Sequence, residues 1–286
     1  MTEDRGPIEA HLKRVWRYYD RTESRIGYDR LMGGSKHFGW YDEGESGWRF
    51  GPALAHMEDE IADRLDLAAN SLVLDAGSGM GEVARAFASR HGLIVEGIDI
   101  LDFNIEEALL RSAKKGLQAR TRFNWGDYHS IAFADRTFDG VYTVETLVHA
   151  ADSRQVLSEF FRVLKPGGHI VLAEYSRAPD SEVSDQALSA LQAVCEIAAM
   201  PTWLELVDGE LENRLRDAGF EKVISEDVSE KILPMLRIFS LLGRLPYWVG
   251  RRIGKPEKTI NAMSGVEMYR HQDAWSYKLY TARKPA

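Results

Sequence analysis

The chain reads as an α/β protein: a seven-stranded, mostly parallel sheet with helices on both faces, a helical N-terminal segment and a cap. Three observations predict this. From Ser71 onward, apolar strand-like runs alternate with helix-like periodicity. A glycine-rich turn, VLDAGSGMG from Val73 to Gly81, joins the first run to the first helix of that series. The chain closes on AWSYKLYTA, Ala274 to Ala282, whose alternation marks a last strand. The 286 residues fit one large domain, or one domain with appended lids.

Residues 1–69 form the N-terminal segment, a cap or an oligomerisation element. Ile8, Leu12, Val15, Trp16 and Tyr19 can share one face of a helix over Ile8–Tyr19. A second helix covers Pro52–Leu67, with Leu54, Met57, Ile61 and Leu65 at helical spacing. The stretch between them is rich in Gly and aromatic residues. The nucleotide-binding core spans 70–228. Its strands are Leu72–Asp75, Ile94–Asp99, Thr121–Asn124, Gly140–Thr143, His169–Glu174 and Phe220–Asp227. Its helices begin with Glu82–Arg90, Ile105–Lys115 and Ser153–Leu164, and the chain is mostly helical from Arg177 to Ala218. Lys165-Pro166-Gly167-Gly168 reads as a turn, because Pro stops a helix and Gly permits positive φ. Residues 229–270 form an apolar lid or cap insertion, and 271–286 return to the core as the final strand.

Composition narrows the function. A net charge of −8 without a long basic run argues against nucleic acid as substrate. The single cysteine, Cys195, excludes an internal disulfide and argues against a zinc cluster, so no metal is expected. Met1–Tyr19 is charged and amphipathic rather than a leader, which points to a cytoplasmic enzyme. Lys231–Gly254 is apolar and basic, but Pro234, Arg237, Arg244 and Pro246 interrupt it. A spanning helix needs about 20 largely apolar residues, so no stable membrane insertion is expected. Three readings remain for this stretch: a cap on the core or on another subunit, a helix on a membrane surface, or a lid over a lipophilic small-molecule acceptor. Its stickiness, with that of the N-terminal helix, predicts a homo-oligomer.

In a doubly wound sheet, ligands lie beyond the carboxyl ends of the strands. Gly77, Gly79 and Gly81 are spaced G-x-G-x-G, unlike the dinucleotide G-x-G-x-x-G. Asp75 before the turn would repel a pyrophosphate and suits a cationic ligand. Asp99, at the next strand end, suits ribose hydroxyls. Asp127 can accept from an adenine amino group and Tyr128 can stack beside the ring, although Asp127 equally suits an Asx turn. Glu145 and His149, four apart, follow the fourth strand and could share a helical face.

This pattern resembles the class I S-adenosylmethionine (SAM) methyltransferases, whose cofactor carries an ammonium and a sulfonium. The segment FDGVYTVETLVHAADSRQVLSEFFRVLKPGGHIVLAEY, Phe138–Tyr175, resembles the sterol C-24 methyltransferases. So does YYDRTESRIGYDRLMGGSKHFGWYD, Tyr18–Asp42, which is also similar to related prenyl C-methyltransferases, as is the closing YKLYTARKPA. Bacterial prenyl C-methyltransferases of the geranyl diphosphate and teleocidin type belong to the same circle, which adds indole alkaloid biosynthesis to the expectation. The resemblance covers about 18–282 and is thinnest over 229–270. It implies a Rossmann-like SAM-methyltransferase fold and a cofactor set of Asp75, Gly77, Ser78, Gly79, Gly81, Asp99, Ile100, Asn104, Asp127, Tyr128 and Glu145. It also implies methylation of a prenyl double bond through a carbocation. There Glu145 stabilises the cation or takes its proton, His149 orients a partner, and Tyr19 and His37 close over the cofactor. No basic-plus-acidic cluster for a magnesium diphosphate stands out. The alternatives are an O- or N-methyltransferase using His149 or Glu145 as base, and a SAM-binding regulator without turnover.

Overall fold

The computed structural model describes residues 6–19 and 33–286. One seven-stranded sheet organises them, in the order β3-β2-β1-β4-β5-β7-β6. The strands are β1 (Leu72–Ala76), β2 (Ile94–Asp99), β3 (Thr121–Trp125), β4 (Phe138–Val144), β5 (Leu164–Arg177), β6 (Glu221–Asp227) and β7 (Trp275–Arg283). The first five pair in parallel, and β7 runs antiparallel to both β5 and β6. The expected fold class is what the chain adopts. Strand order reverses between β1 and β4, so a crevice opens where those two strands end.

Ten α-helices are described: α1 (Gly6–Tyr19), α2 (Phe50–Leu65), α3 (Glu82–Arg90), α4 (Asp102–Lys114), α5 (Ser153–Val163), α6 (Asp185–Ala198), α7 (Pro201–Glu205), α8 (Glu210–Asp217), α9 (Ser229–Arg252) and α10 (Ile260–Arg270). The predicted apolar stripe of α2 is buried in full, at Leu54, Met57, Ile61 and Leu65. Asp66, at φ 50°, ends that helix before the expected Leu67.

Two expectations need correcting. Lys165–Gly168 does not separate a helix from a strand. It is a bulge inside β5: Phe138 pairs with Leu164 and Gly140 with His169, so four residues loop out opposite one. In α1 the buried stripe is His11, Val15 and Tyr18, while Trp16 faces out at 46% exposure. The helix is rotated because His11 donates from Nε2 to the His149 carbonyl (2.8 Å) and Tyr18 donates its hydroxyl to Asn261 (3.1 Å).

The segment from Ser35 to Tyr41 crosses the carboxyl ends of the strands. Backbone bonds from Trp40 to Ala53 and from Tyr41 to Lys231 pin it there. Residues 20–32, which carry part of the YYD-to-HF resemblance, lie outside the described residues. Helices α9 and α10 lie between β6 and β7 in sequence and cross closely. A Cβ on Gly243 would stand 2.8 Å from the Ala262 carbonyl oxygen. Among the described residues no helix is long and apolar enough to cross a membrane, and no group of metal-ligating side chains forms.

Candidate active site

The glycine turn closes one side of the crevice. Gly77 and Ser78 both donate backbone N–H to the Ile98 carbonyl, at 2.8 and 2.9 Å. Gly77 has φ +88°, and a Cβ there would stand 2.7 Å from Thr146. Gly79 faces open space in the cavity. Asp99 locks the turn: one oxygen accepts from Gly79 N and the other from Leu101 N, both at 2.8 Å.

Asp75 lies behind the turn, 3% exposed, and its Oδ2 has no hydrogen-bond partner. Burial pushes its carboxyl up to about 7; the nearby Tyr142 hydroxyl pulls it down and Asp99 adds to the rise. A buried carboxyl with an orphaned oxygen is a receptor for a cation, and an ammonium group satisfies it. Ser78, Ile100, Asn104 and Tyr128 line the same cavity, and Tyr128 donates its hydroxyl to the Thr146 carbonyl (3.1 Å). Asp127 and Gly81 do not line it. Asp127 Oδ1 accepts from His129 N (2.9 Å) and pairs with His129 Nδ1 (2.6 Å), which is the Asx-turn alternative. Gly81 starts α3 at φ +74° beneath the Phe123 ring.

On the other side of the crevice stands Glu145, in the left-handed region at φ +57°. Such strain in a glutamate persists only where its surroundings enforce it. The enforcing group is Glu174, fully buried on β5. Its Oε1 accepts from Thr146 N (2.9 Å) and Leu147 N (2.7 Å), the two residues after Glu145. Burial pushes Glu174 up to about 8. The Glu145 carboxylate itself accepts from Phe38 N (2.8 Å), Tyr175 OH (2.5 Å) and Tyr277 OH (3.0 Å). Burial raises its pKa, while these donors pull the other way.

His149 is buried, and burial pushes it down to about 4, so the ring is neutral. Its Nδ1 faces the Ala199 carbonyl (3.0 Å), which can only accept, so Nδ1 carries the hydrogen. Nε2 then accepts from the Tyr19 hydroxyl (2.9 Å). His37 donates from Nδ1 to the Phe38 carbonyl (2.9 Å) and approaches Glu58 from Nε2 (3.6 Å). Burial depresses His37, but Glu58 outweighs it and the net shift is upward.

A second cavity of about 380 Å³ opens beside the first, under α9 and α10. Phe38, Tyr175, Trp203 and Phe239 give it an aromatic wall, with Tyr175 and Trp203 stacked at 4.5 Å. Four residues line both cavities: Tyr19, Lys36, His37 and Glu145. Three of these belong to the sequence-predicted set.

A methyltransferase domain family matches residues 74–172. An S-adenosyl-L-methionine-dependent Diels–Alderase from Talaromyces variabilis is 34% identical, over 97% of both chains. The chain belongs to the class I SAM-dependent methyltransferases. A sterol 24-C-methyltransferase from Gibberella zeae is 28% identical over 86% of this methyltransferase and 63% of its own length. Among solved structures, the 4+2 cyclase SpnF superposes with a TM-score of 0.77 at 24% identity, covering 95% of each chain. Geranyl diphosphate C-methyltransferase from Streptomyces coelicolor A3(2) superposes with 0.73 at 18% identity, covering 98% of this methyltransferase and 99% of that chain. These two likenesses concern the fold. The cofactor of this methyltransferase is SAM.

Sequence reasoning missed Lys36, Glu174, Tyr175 and Tyr277. Lys36 donates to Asn104 (3.1 Å) and stands over the Tyr19 ring at 4.7 Å. The tyrosines alternate in strands and read as ordinary core. The part Glu174 plays is visible only once the Glu145 turn is in place.

Proposed function

We propose that this methyltransferase alkylates a carbon–carbon double bond in the prenyl or terpenoid part of a lipophilic natural product, prenylated indole alkaloids of the teleocidin type included. One observation carries the reading: Glu145 and Tyr19 form part of the wall between the cofactor cavity and an aromatic-lined, apolar cavity. Asp75, Asp99, Asn104 and the glycine turn hold SAM, which supplies an electrophilic methyl group when bound. Methylation of a trisubstituted alkene leaves a tertiary cation on the acceptor. The ring faces of Phe38, Tyr175 and Trp203 stabilise it, each by roughly 0.5–2 kcal/mol. Glu145 is placed to balance that charge and to take the proton whose loss restores a double bond. Base-assisted O- or N-methylation through His149 is less well supported, because His149 lines the cofactor cavity rather than the acceptor cavity and the lone pair of its Nε2 is occupied by Tyr19; with Glu145 as base, it is told from alkylation of carbon by where the label lands.

A second reading is favoured by the 34% identity to a Diels–Alderase along the whole chain: closure of a polyene in the same cavity, with SAM retained as a structural element. Mass spectrometry with methyl-deuterated SAM separates the two. Prenylated acceptors that gain a fully deuterated methyl on carbon support alkylation. A cyclised product of unchanged mass supports the second reading, and label on oxygen or nitrogen refutes both.

A further inference from the structure

We infer that the exposed face of α9 docks on an anionic lipid membrane. Residues 231–255 contain Lys231, Arg237, Arg244, Arg251, Arg252 and Lys255 and no acidic residue, in a chain of net charge −8. Arg237, Arg244 and Arg251 lie seven apart, so they form one line along the helix. Beside that line runs an apolar strip of Leu241, Leu245, Trp248, Val249 and Ile253. Every one of these is exposed, Leu245 by 69% and Trp248 by 56%. The arginine heads are held at the strip's border: Arg251 over the Tyr247 ring at 5.8 Å and Arg252 over Trp248 at 5.4 Å. An apolar strip with a cationic margin is the pattern of a helix lying in the headgroup region. A second copy of this face would set one line of arginines against another. An anionic headgroup layer meets both the charge and the apolar strip.

The same helix places Leu242, Gly243 and Pro246 in the wall of the acceptor cavity, so the docked face borders the cavity. Passage of a lipophilic acceptor from the bilayer rests on the proposed function. Docking itself does not, and it can be measured without any acceptor.

The test is co-sedimentation of the full chain with phosphatidylcholine vesicles and with vesicles that also contain phosphatidylglycerol. We expect sedimentation with the anionic vesicles, weakening as salt is added. Leu245→Glu with Trp248→Glu should lower partitioning about tenfold or more. Arg244→Glu with Arg251→Glu should remove the preference for phosphatidylglycerol. Melting temperature and its rise with S-adenosylhomocysteine confirm that each variant is folded. Equal sedimentation with and without anionic vesicles overturns the inference. So does a solution dimer that Leu245→Glu converts to monomer while vesicles bind nothing, which would assign this face to a second copy.

Discussion

Replacing Asp75 with Asn should stabilise the cofactor-free protein and at the same time cripple cofactor binding. The buried carboxyl, with its orphaned Oδ2, titrates at about 7 instead of 3.8. The folded chain therefore holds this proton more tightly than the unfolded chain does. The stability this brings is whole below pH 3.8 and gone once pH passes about 7. Three pH units correspond to about 4 kcal/mol that ionised Asp75 costs the empty site near pH 8. The amide carries no charge, so Asp75→Asn should melt about 4–8 °C above wild type there, with the gap closing towards pH 5. Cofactor binding moves the other way. An ammonium paired with a desolvated carboxylate contributes about 2–3 kcal/mol, so the variant should bind S-adenosylhomocysteine about 30- to 150-fold more weakly. In wild type the affinity should climb about tenfold per pH unit up to about 7. It should fall again at higher pH, once the amino group of the cofactor's amino-acid end loses its own proton. Differential scanning fluorimetry and titration calorimetry across this range measure both effects. A variant that melts at or below wild type near pH 8, or that binds equally well, would refute the view of Asp75 as a charge awaiting its partner.

Other outcomes follow from the same geometry. Glu145→Gln should lower turnover on the order of a hundredfold while cofactor affinity, read by calorimetry, changes by no more than about threefold. Tyr277→Phe removes one of the donors that favour the ionised carboxylate, so the pKa of Glu145 rises. The acid limb of the rate profile then moves to higher pH, with about a tenfold loss of rate on that limb. His149 is neutral above about pH 4, so His149 itself should add no limb to the profile near 6.5; His149→Ala should cost about 1–3 kcal/mol in thermal stability by leaving the Tyr19 hydroxyl without its acceptor. Gly77→Val, at φ +88° and against Thr146, should abolish the thermal shift given by S-adenosylhomocysteine.

The centre of the sheet was legible because β1, β2, β4 and β5 carry buried apolar runs, and such runs need little context. The placing of the glycine turn, Asp75 and Asp99 was equally readable, since each sits at a strand end that the topology brings to the crevice. Asp127 shows the limit. An aspartate after a strand suits an adenine and an Asx turn alike, and the pairing of Asp127 with the His129 imidazole cannot be read from the sequence. The α1 stripe was misplaced by one position, because a hydrogen bond from His11, rather than apolar area, sets the helix's rotation. The Tyr175 and Tyr277 clamp could not be read, since pairing between β5 and β7 joins residues far apart in sequence.

β6 and β7 are antiparallel neighbours, and a short hairpin would connect them. Instead the chain inserts α9 and α10, the roof of the acceptor cavity. That roof is thus an excursion whose removal would leave the sheet's pairing intact, while the cofactor end is woven into β1, β2 and β4. Changes on the cavity side of the roof, away from the Lys231 carbonyl that holds Tyr41, can recast it while the sheet stays as it is. Laboratory evolution of acceptor range should begin in that insertion.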